Sequence, residues 1–242
     1  MSQSIEILVA DDDAEFSRVA AQRFIKILEV RDHPLVTLPT GYTPLGFYQA
    51  LITDYGQRHD LWDGLRFIAL DEYCGLSADD ERLFASWLAR TLLDPLAIKS
   101  RLLFDSAADP QQEMVRVRSL LHEQGPLDVA VLGLGGNGHV AFNEPGTPFT
   151  ATIHTVTLTT GTIAANALYW GGSERVPPQG ITLGIQDLAQ AGSTILLVKG
   201  AAKAEVLQQT LQGPVTAAIP ASYLQTIKNV TIIADRDAAA RL

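Results

Sequence analysis

Residues 129–149 read VAVLGLGGNGHVAFNEPGTPF, and this stretch decides the fold. Its first six residues form an uninterrupted apolar run, the pattern of a strand covered on both faces as in a parallel sheet. Gly133, Gly135, Gly136 and Gly138 follow, letting the chain turn sharply and bring its backbone close to a ligand. Within the turn and just beyond it stand Asn137, His139 and Glu144. Ligands of open parallel sheets bind outside the carboxyl ends of the strands, so this imidazole and carboxylate are expected at a cleft.

Working outward, apolar strands alternate with helical patterns. Strands are expected at 5–9, 35–38, 65–70, 152–158, 194–198 and 230–234. Helices are expected over Asp13–Leu28, from Pro44 through Leu51, and over 80–93, 110–123 and 202–212, with a short one opening at 181–184. Apolar residues Phe16, Val19, Ala20, Phe24, Ile27 and Leu28 recur at helical spacing, and Pro44 suits a first helical turn. Repeats, low-complexity tracts and linkers are lacking. The expectation is an α/β fold: one domain over 1–242, doubly wound, with a mostly parallel sheet and helices on both faces.

Of 242 residues, 47% are hydrophobic and 19% charged, which supports a filled core and argues against disorder. A net charge of −9 argues against nucleic acid, whose phosphates attract basic surfaces. A small anion remains compatible if amides, helix N-termini or a few cations supply local positive potential. The lone Cys74 excludes an internal disulfide and suits a reducing cytoplasm. The N-terminal MSQSIEILVADDD lacks a basic region followed by a long apolar one, so no signal peptide is expected. No run approaches the ~18 apolar residues of a membrane helix.

Three loops after apolar strands carry chemistry. Pro39-Thr40-Gly41-Tyr42-Thr43-Pro44 leads into a helix N-terminus, which presents free amides to an anion, with the Thr43 hydroxyl alongside. It matches neither the Walker loop nor the dinucleotide pattern, and a simple capped turn is the alternative. In Ala69-Leu70-Asp71-Glu72-Tyr73 two acids follow a buried strand directly. A partly desolvated carboxylate there has a raised pKa and suits general-base work. The alternative is that Asp71 caps the next segment and Glu72 faces solvent. In the third loop His139 can transfer protons near neutral pH, with Glu144 to orient it. The other histidines, His33, His59, His122 and His154, have no ligand-like spacing, so no metal is expected, and there is no GxSxG. Lys203 follows the 194–198 strand and could reach an anion at the same sheet edge; a solvated surface lysine is the alternative.

Taken together, LPTGYTPLGFYQAL, LDEYCGL, LGLGGNGHVAFNEPGTPF, VPPQGITLGI, KGAAKAEVLQ and IPASYLQ resemble the glucosamine-6-phosphate deaminase/isomerase family, which shares its fold with 6-phosphogluconolactonases. The likeness spans nearly the whole chain, and the combination of DEY with GHVAFNEP is specific to the deaminase side. The resemblance implies a cofactor-free aldose–ketose isomerisation with loss of ammonia, acting on a 2-amino-2-deoxyhexose 6-phosphate. It assigns Asp71 to proton transfer between C2 and C1, His139 to opening the pyranose ring, and Glu144 to assisting it. Thr40, Gly41, Tyr42, Thr43 and Lys203 fall at the phosphate.

The chain departs from the family pattern around the substrate. Asn137 stands where Asp is common, and an amide cannot exchange a proton at neutral pH, so it can only orient its neighbours. Tyr42 replaces a second glycine in the phosphate turn and would crowd or reshape the pocket. Leu168 stands where the family presents an arginine to the phosphate. Such a contact contributes about 1.5–3 kcal/mol, to be made up by Lys203, Arg175 or Lys199. Near Leu83-Phe84 a Ser-Tyr pair is common instead. These changes point to retained chemistry with an altered sugar preference, galactosamine 6-phosphate being the alternative substrate, and a lactone hydrolase or a non-catalytic sugar-phosphate binder the remaining readings. The short segments before the first strand and after the last favour an enzyme over a DNA-binding regulator, acting as a monomer or small homo-oligomer.

Overall fold

In the computed structural model, which describes residues 5–242, the chain alternates strands and helices from its first element onward. Strand β1 (Glu6–Ala10) leads into α1 (Asp13–Leu28), whose first turn is capped by the Asp12 carboxylate accepting the Glu15 amide at 2.8 Å. β2 (Leu35–Thr37) leads into α2 (Leu45–Tyr55) and α3 (His59–Trp62), then β3 (Arg66–Ile68) and β4 (Asp71–Tyr73). After α4 (Phe84–Leu88), which widens into a π-turn at Ala89–Leu93, come β5 (Ser100–Leu102), α5 (Pro110–Gln124) and β6 (Val129–Gly133). The remainder is β7 (His154–Thr157), α6 (Thr160–Trp170), β8 (Gln179–Thr182), α7 (Ile185–Ala189), β9 (Ser193–Val198), α8 (Ala204–Gln212) and β10 (Val230–Asp235).

Seven strands form one sheet in the order β1-β10-β9-β6-β2-β3-β5, every pair parallel. From β6 the chain proceeds to β9 and β10, whereas from β2 it proceeds the opposite way to β3 and β5. The β2–β6 boundary is therefore the topological switch point, where the exits of neighbouring strands diverge and leave a crevice. Val129, Ala130, Val131 and Leu132 of β6 are fully buried, as expected of a strand flanked by helices on both faces. On one side Phe24 of α1 and Phe47 of α2 meet edge to face, 5.7 Å apart.

Three expectations need correction. Residues 71–73 are not a loop but the strand β4, which joins β8 and β7 in a separate three-stranded antiparallel sheet. Residues 181–184 do not open a helix. They end β8, and α7 starts only after Gly184, whose amide donates to Asp187 Oδ2 at 2.9 Å. Both segments are only three or four residues long, too short for periodicity to identify a strand. The 80–93 helix also starts later, at Phe84, because the Asp80 and Arg82 side chains fold together in the preceding turn. Beneath the small sheet lies a second apolar cluster of Tyr73, Leu76, Leu83, Phe84, Phe142, Leu158 and Val176, against which Ile163, Ala167 and Trp170 of α6 or its flank pack.

Candidate active site

The crevice at the β2–β6 boundary is a cavity of about 320 Å³. Its walls are the turn after β2, the turn after β6, the first residue of β4 and one face of α6. Thr40, Gly41, Tyr42, Thr43, Asp71, His139 and Lys203 all line it. Asn137 and Glu144 stand behind His139 and act on it from there.

The turn after β6 holds the imidazole against bare backbone. A Cβ on Gly135 would lie 2.3–2.4 Å from three atoms of the His139 ring, so only glycine admits the ring here. The His139 amide donates to Asn137 Oδ1 at 3.1 Å, while Asn137 Nδ2 donates to Glu144 Oε2 at 2.8 Å. Glu144 Oε1 accepts the Thr159 amide and hydroxyl at 3.1 and 3.2 Å. His139 Nδ1 lies 3.3 Å from the Thr162 hydroxyl and 3.7 Å from Glu144 Oε2, within ion-pair range of the carboxylate. Burial alone would raise the Glu144 pKa, but His139, the Thr162 hydroxyl and the Thr159 amide outweigh it and hold it down at about 2. Glu144 is thus a fixed negative charge beside the imidazole. Thr159 and Thr162, at the N-terminus of α6, escaped the sequence reading; the one signal that could have found Thr159 is its residue type, suited to a helix N-cap.

Asp71 and Glu72 are adjacent, both buried, and different in surroundings. Asp71 is 7% exposed and lines the cavity. Burial, with the neighbouring Glu72 charge, pushes its carboxyl well above the usual aspartate range. Glu72 is 1% exposed rather than facing solvent, and it is the capping acid of the pair. Its Oε1 accepts the Tyr73 and Phe84 amides at 2.9 and 3.0 Å, and its Oε2 accepts the Ala85 amide at 2.8 Å. Burial raises it to about 7 against the opposing pull of those amides. Through these bonds Glu72 secures the N-terminus of α4, which places Phe84 and Trp87 in the cavity wall. Tyr73 completes the segment: its hydroxyl accepts Asn166 Nδ2 at 2.8 Å and Trp170 Nε1 at 3.2 Å, tying α6 down.

Lys203 is a half-buried cavity residue, not a solvated surface lysine; burial lowers its pKa. It sits in the short turn Ala201–Lys203 that precedes α8. The other two cations considered at the phosphate are engaged elsewhere. Arg175 pairs with Glu81 at 2.6 Å, and Lys199 pairs with Asp13 at 2.6 Å and stands 5.3 Å over the Phe16 ring. Leu168 is 79% exposed, and the α6 residues in the cavity wall are Ala165, Asn166, Tyr169 and Trp170.

A buried aspartate, a histidine in a glycine turn and a turn leading into a helix N-terminus thus meet at the switch point of a parallel α/β sheet, an arrangement suited to an enzyme acting on a small anionic substrate. The sequence pattern of glucosamine-6-phosphate isomerases/6-phosphogluconolactonase matches residues 11–233, and the chain belongs to this family. It is 36% identical over 243 residues to the glucosamine-6-phosphate deaminase of Halalkalibacterium halodurans, covering 98% of each chain. It is 37% identical over 229 residues to that of Shouchella clausii, covering 93% of each. Among solved structures, a monomeric glucosamine-6-phosphate deaminase superposes with a TM-score of 0.94 at 32% identity, with 98% of this chain and 100% of that one covered. The 6-phosphogluconolactonase of Trypanosoma brucei superposes at 0.82 with 22% identity, covering all of both chains, and shares the fold.

Proposed function

We infer that the chain converts glucosamine 6-phosphate and water to fructose 6-phosphate and ammonia. The carrying observation is that Asp71, His139, the Thr40–Thr43 turn and Lys203 all line one cavity. The amides of the turn and the Lys203 ammonium receive the phosphate, which sets the sugar's reacting end towards the two proton-transfer groups. His139, held by Glu144 and Asn137, accepts the O1 proton and returns it to O5, opening the ring. Asp71, ionised, takes the C2 proton while O1 gains a proton from the substrate's C2 ammonium group, and the protonated Asp71 then delivers its proton to C1. The amine-bearing C2 then becomes an iminium carbon; water adds to it, ammonia leaves, and the ketose remains. A carboxylate of raised pKa suits both halves of that transfer, since it accepts and releases a proton with little energetic asymmetry. Asn137 contributes orientation only. The reaction needs no cofactor, and the chain acts as one unit over 1–242, in the cytoplasm, as a monomer or small homo-oligomer.

The test is ammonia release by purified protein from glucosamine 6-phosphate and galactosamine 6-phosphate, with 6-phosphogluconolactone as the third substrate. Ammonia from the glucosamine ester is expected. Release from the galactosamine ester alone would move the assignment to that epimer. Acid production from the lactone with no ammonia from either amino sugar would sink it.

A further inference from the structure

The turn after β2 and the C-terminal half of α6 meet through two tyrosine rings. Tyr42 and Tyr169 have centroids 4.7 Å apart with ring planes inclined by 35°. Tyr42 is 62% exposed, while Tyr169, 37% exposed, directs its hydroxyl to the backbone of the turn. It lies 3.0 Å from where a Cβ on Gly41 would stand, and it meets the Tyr42 backbone amide. The position of that hydroxyl is set by the fold, because the flanking Asn166 and Trp170 are both bonded to Tyr73. Leu168 points to solvent, so α6 brings a neutral donor to the turn instead of a cation. Lys203 is the one cationic side chain lining the cavity among the described residues.

We propose that Tyr169 is a phosphate-binding residue, its hydroxyl donating to a phosphoryl oxygen seated on the Tyr42 amide while the Tyr42 ring holds it in place by stacking. This rests on the placement of the phosphate in the Thr40–Thr43 turn. A phosphoryl oxygen is a better acceptor for the amide than the hydroxyl is, and it accepts the hydroxyl as well, so both donors gain when the substrate enters. The turn and α6 are then joined through the ligand, and substrates lacking the phosphate forgo that link.

The experiment compares Tyr169→Phe, which keeps the ring and the stacking, with Lys203→Met. Each is assayed for KM and kcat with glucosamine 6-phosphate and for the inhibition constant of inorganic phosphate. For Tyr169→Phe, KM and the phosphate inhibition constant are expected to rise together by about tenfold, with kcat within about twofold of the parent. Tyr42→Ala is expected to raise both constants several-fold and Tyr42→Phe to restore them, a pattern that general destabilisation would not give. If Tyr169→Phe leaves both constants unchanged while Lys203→Met raises them, Tyr169 is not a phosphate ligand. If neither variant alters phosphate inhibition, the placement of the phosphate in the turn fails as well.

Discussion

The wall of the cavity proposed for proton transfer and the wall proposed for the phosphate are built in opposite ways. Asp71, His139 and Glu144 sit at strand ends or in a tight turn, buried or half-buried, and each is placed by bonds or close packing from fixed neighbours. Tyr42 and Tyr169 are part-exposed residues on a turn and on the outer part of a helix, their rings in contact where the family pattern carries a second glycine, and Leu168, in the arginine's place, points to solvent. Proton transfer depends on distances that shift by tenths of an ångström at most, so its supports resist change. Holding an anion can be shared among amides, hydroxyls and a lysine, so this wall tolerates exchange of its side chains. The departures from the family pattern lie there, with the exceptions of Asn137 and of Leu83-Phe84 at the start of α4.

That contrast can be broken at its strong end first. Asp71→Asn should lower kcat for ammonia release by about 10³-fold, since general-base transfer contributes 10²–10⁴. It should leave melting unimpaired, because an amide is easier to bury than a carboxylate. Retained turnover would move the base elsewhere. His139→Gln should cost about 10²-fold in kcat, and unchanged turnover would remove the ring-opening assignment. Lys203→Met tests the other wall. KM should rise about tenfold or more with a smaller change in kcat, and an effect confined to kcat would place Lys203 in the chemistry instead.

The acid pair sharpens the comparison through pH. Glu72, raised to about 7, keeps its proton in the folded state where the unfolded chain has released it near its ordinary value of 4.5. Between those values the folded state binds more protons, so stability falls as pH rises through the window and levels off above it. Asp71, also raised, adds to the same slope. Melting temperatures from pH 4 to 9 should therefore decline through that range, and Glu72→Gln should flatten the decline by on the order of 1–3 kcal/mol. A decline of the same slope in Glu72→Gln would assign it to other groups. Glu144 behaves with the opposite sign: its depressed pKa contributes stability that is present above about 4.5 and lost as pH falls towards 2.

The central run was legible because it is extreme. An all-apolar strand followed by four glycines and a histidine has few structural solutions, and β6 with its turn matches that reading. The long amphipathic helices α1 and α5 were readable for the same reason, periodicity over four turns. What stayed hidden was short and non-local. β4 and β8 are three and four residues long and exist because they pair with each other across more than a hundred positions. β5, likewise three residues, went unread. In the site, Asp71, His139 and Lys203 were readable as chemistry-bearing types after strands, whereas Thr162, Tyr169 and the capping role of Glu72 depend on where α6 and α4 come to rest, which no local pattern encodes.

Three consecutive residues, Asp71, Glu72 and Tyr73, face the cavity, cap α4 and anchor α6 in turn, and they pair with Thr182, Ile181 and Gly180. Side chains alternate between the two faces of a strand, so sliding this pairing by one residue would exchange the surroundings of the two acids. Which carboxylate faces the cavity is therefore written in the alignment of two short strands as much as in the residue itself. A one-residue deletion in the 74–79 connection should be borne far better than one between Ile68 and Asp71, though both leave every functional side chain in the sequence.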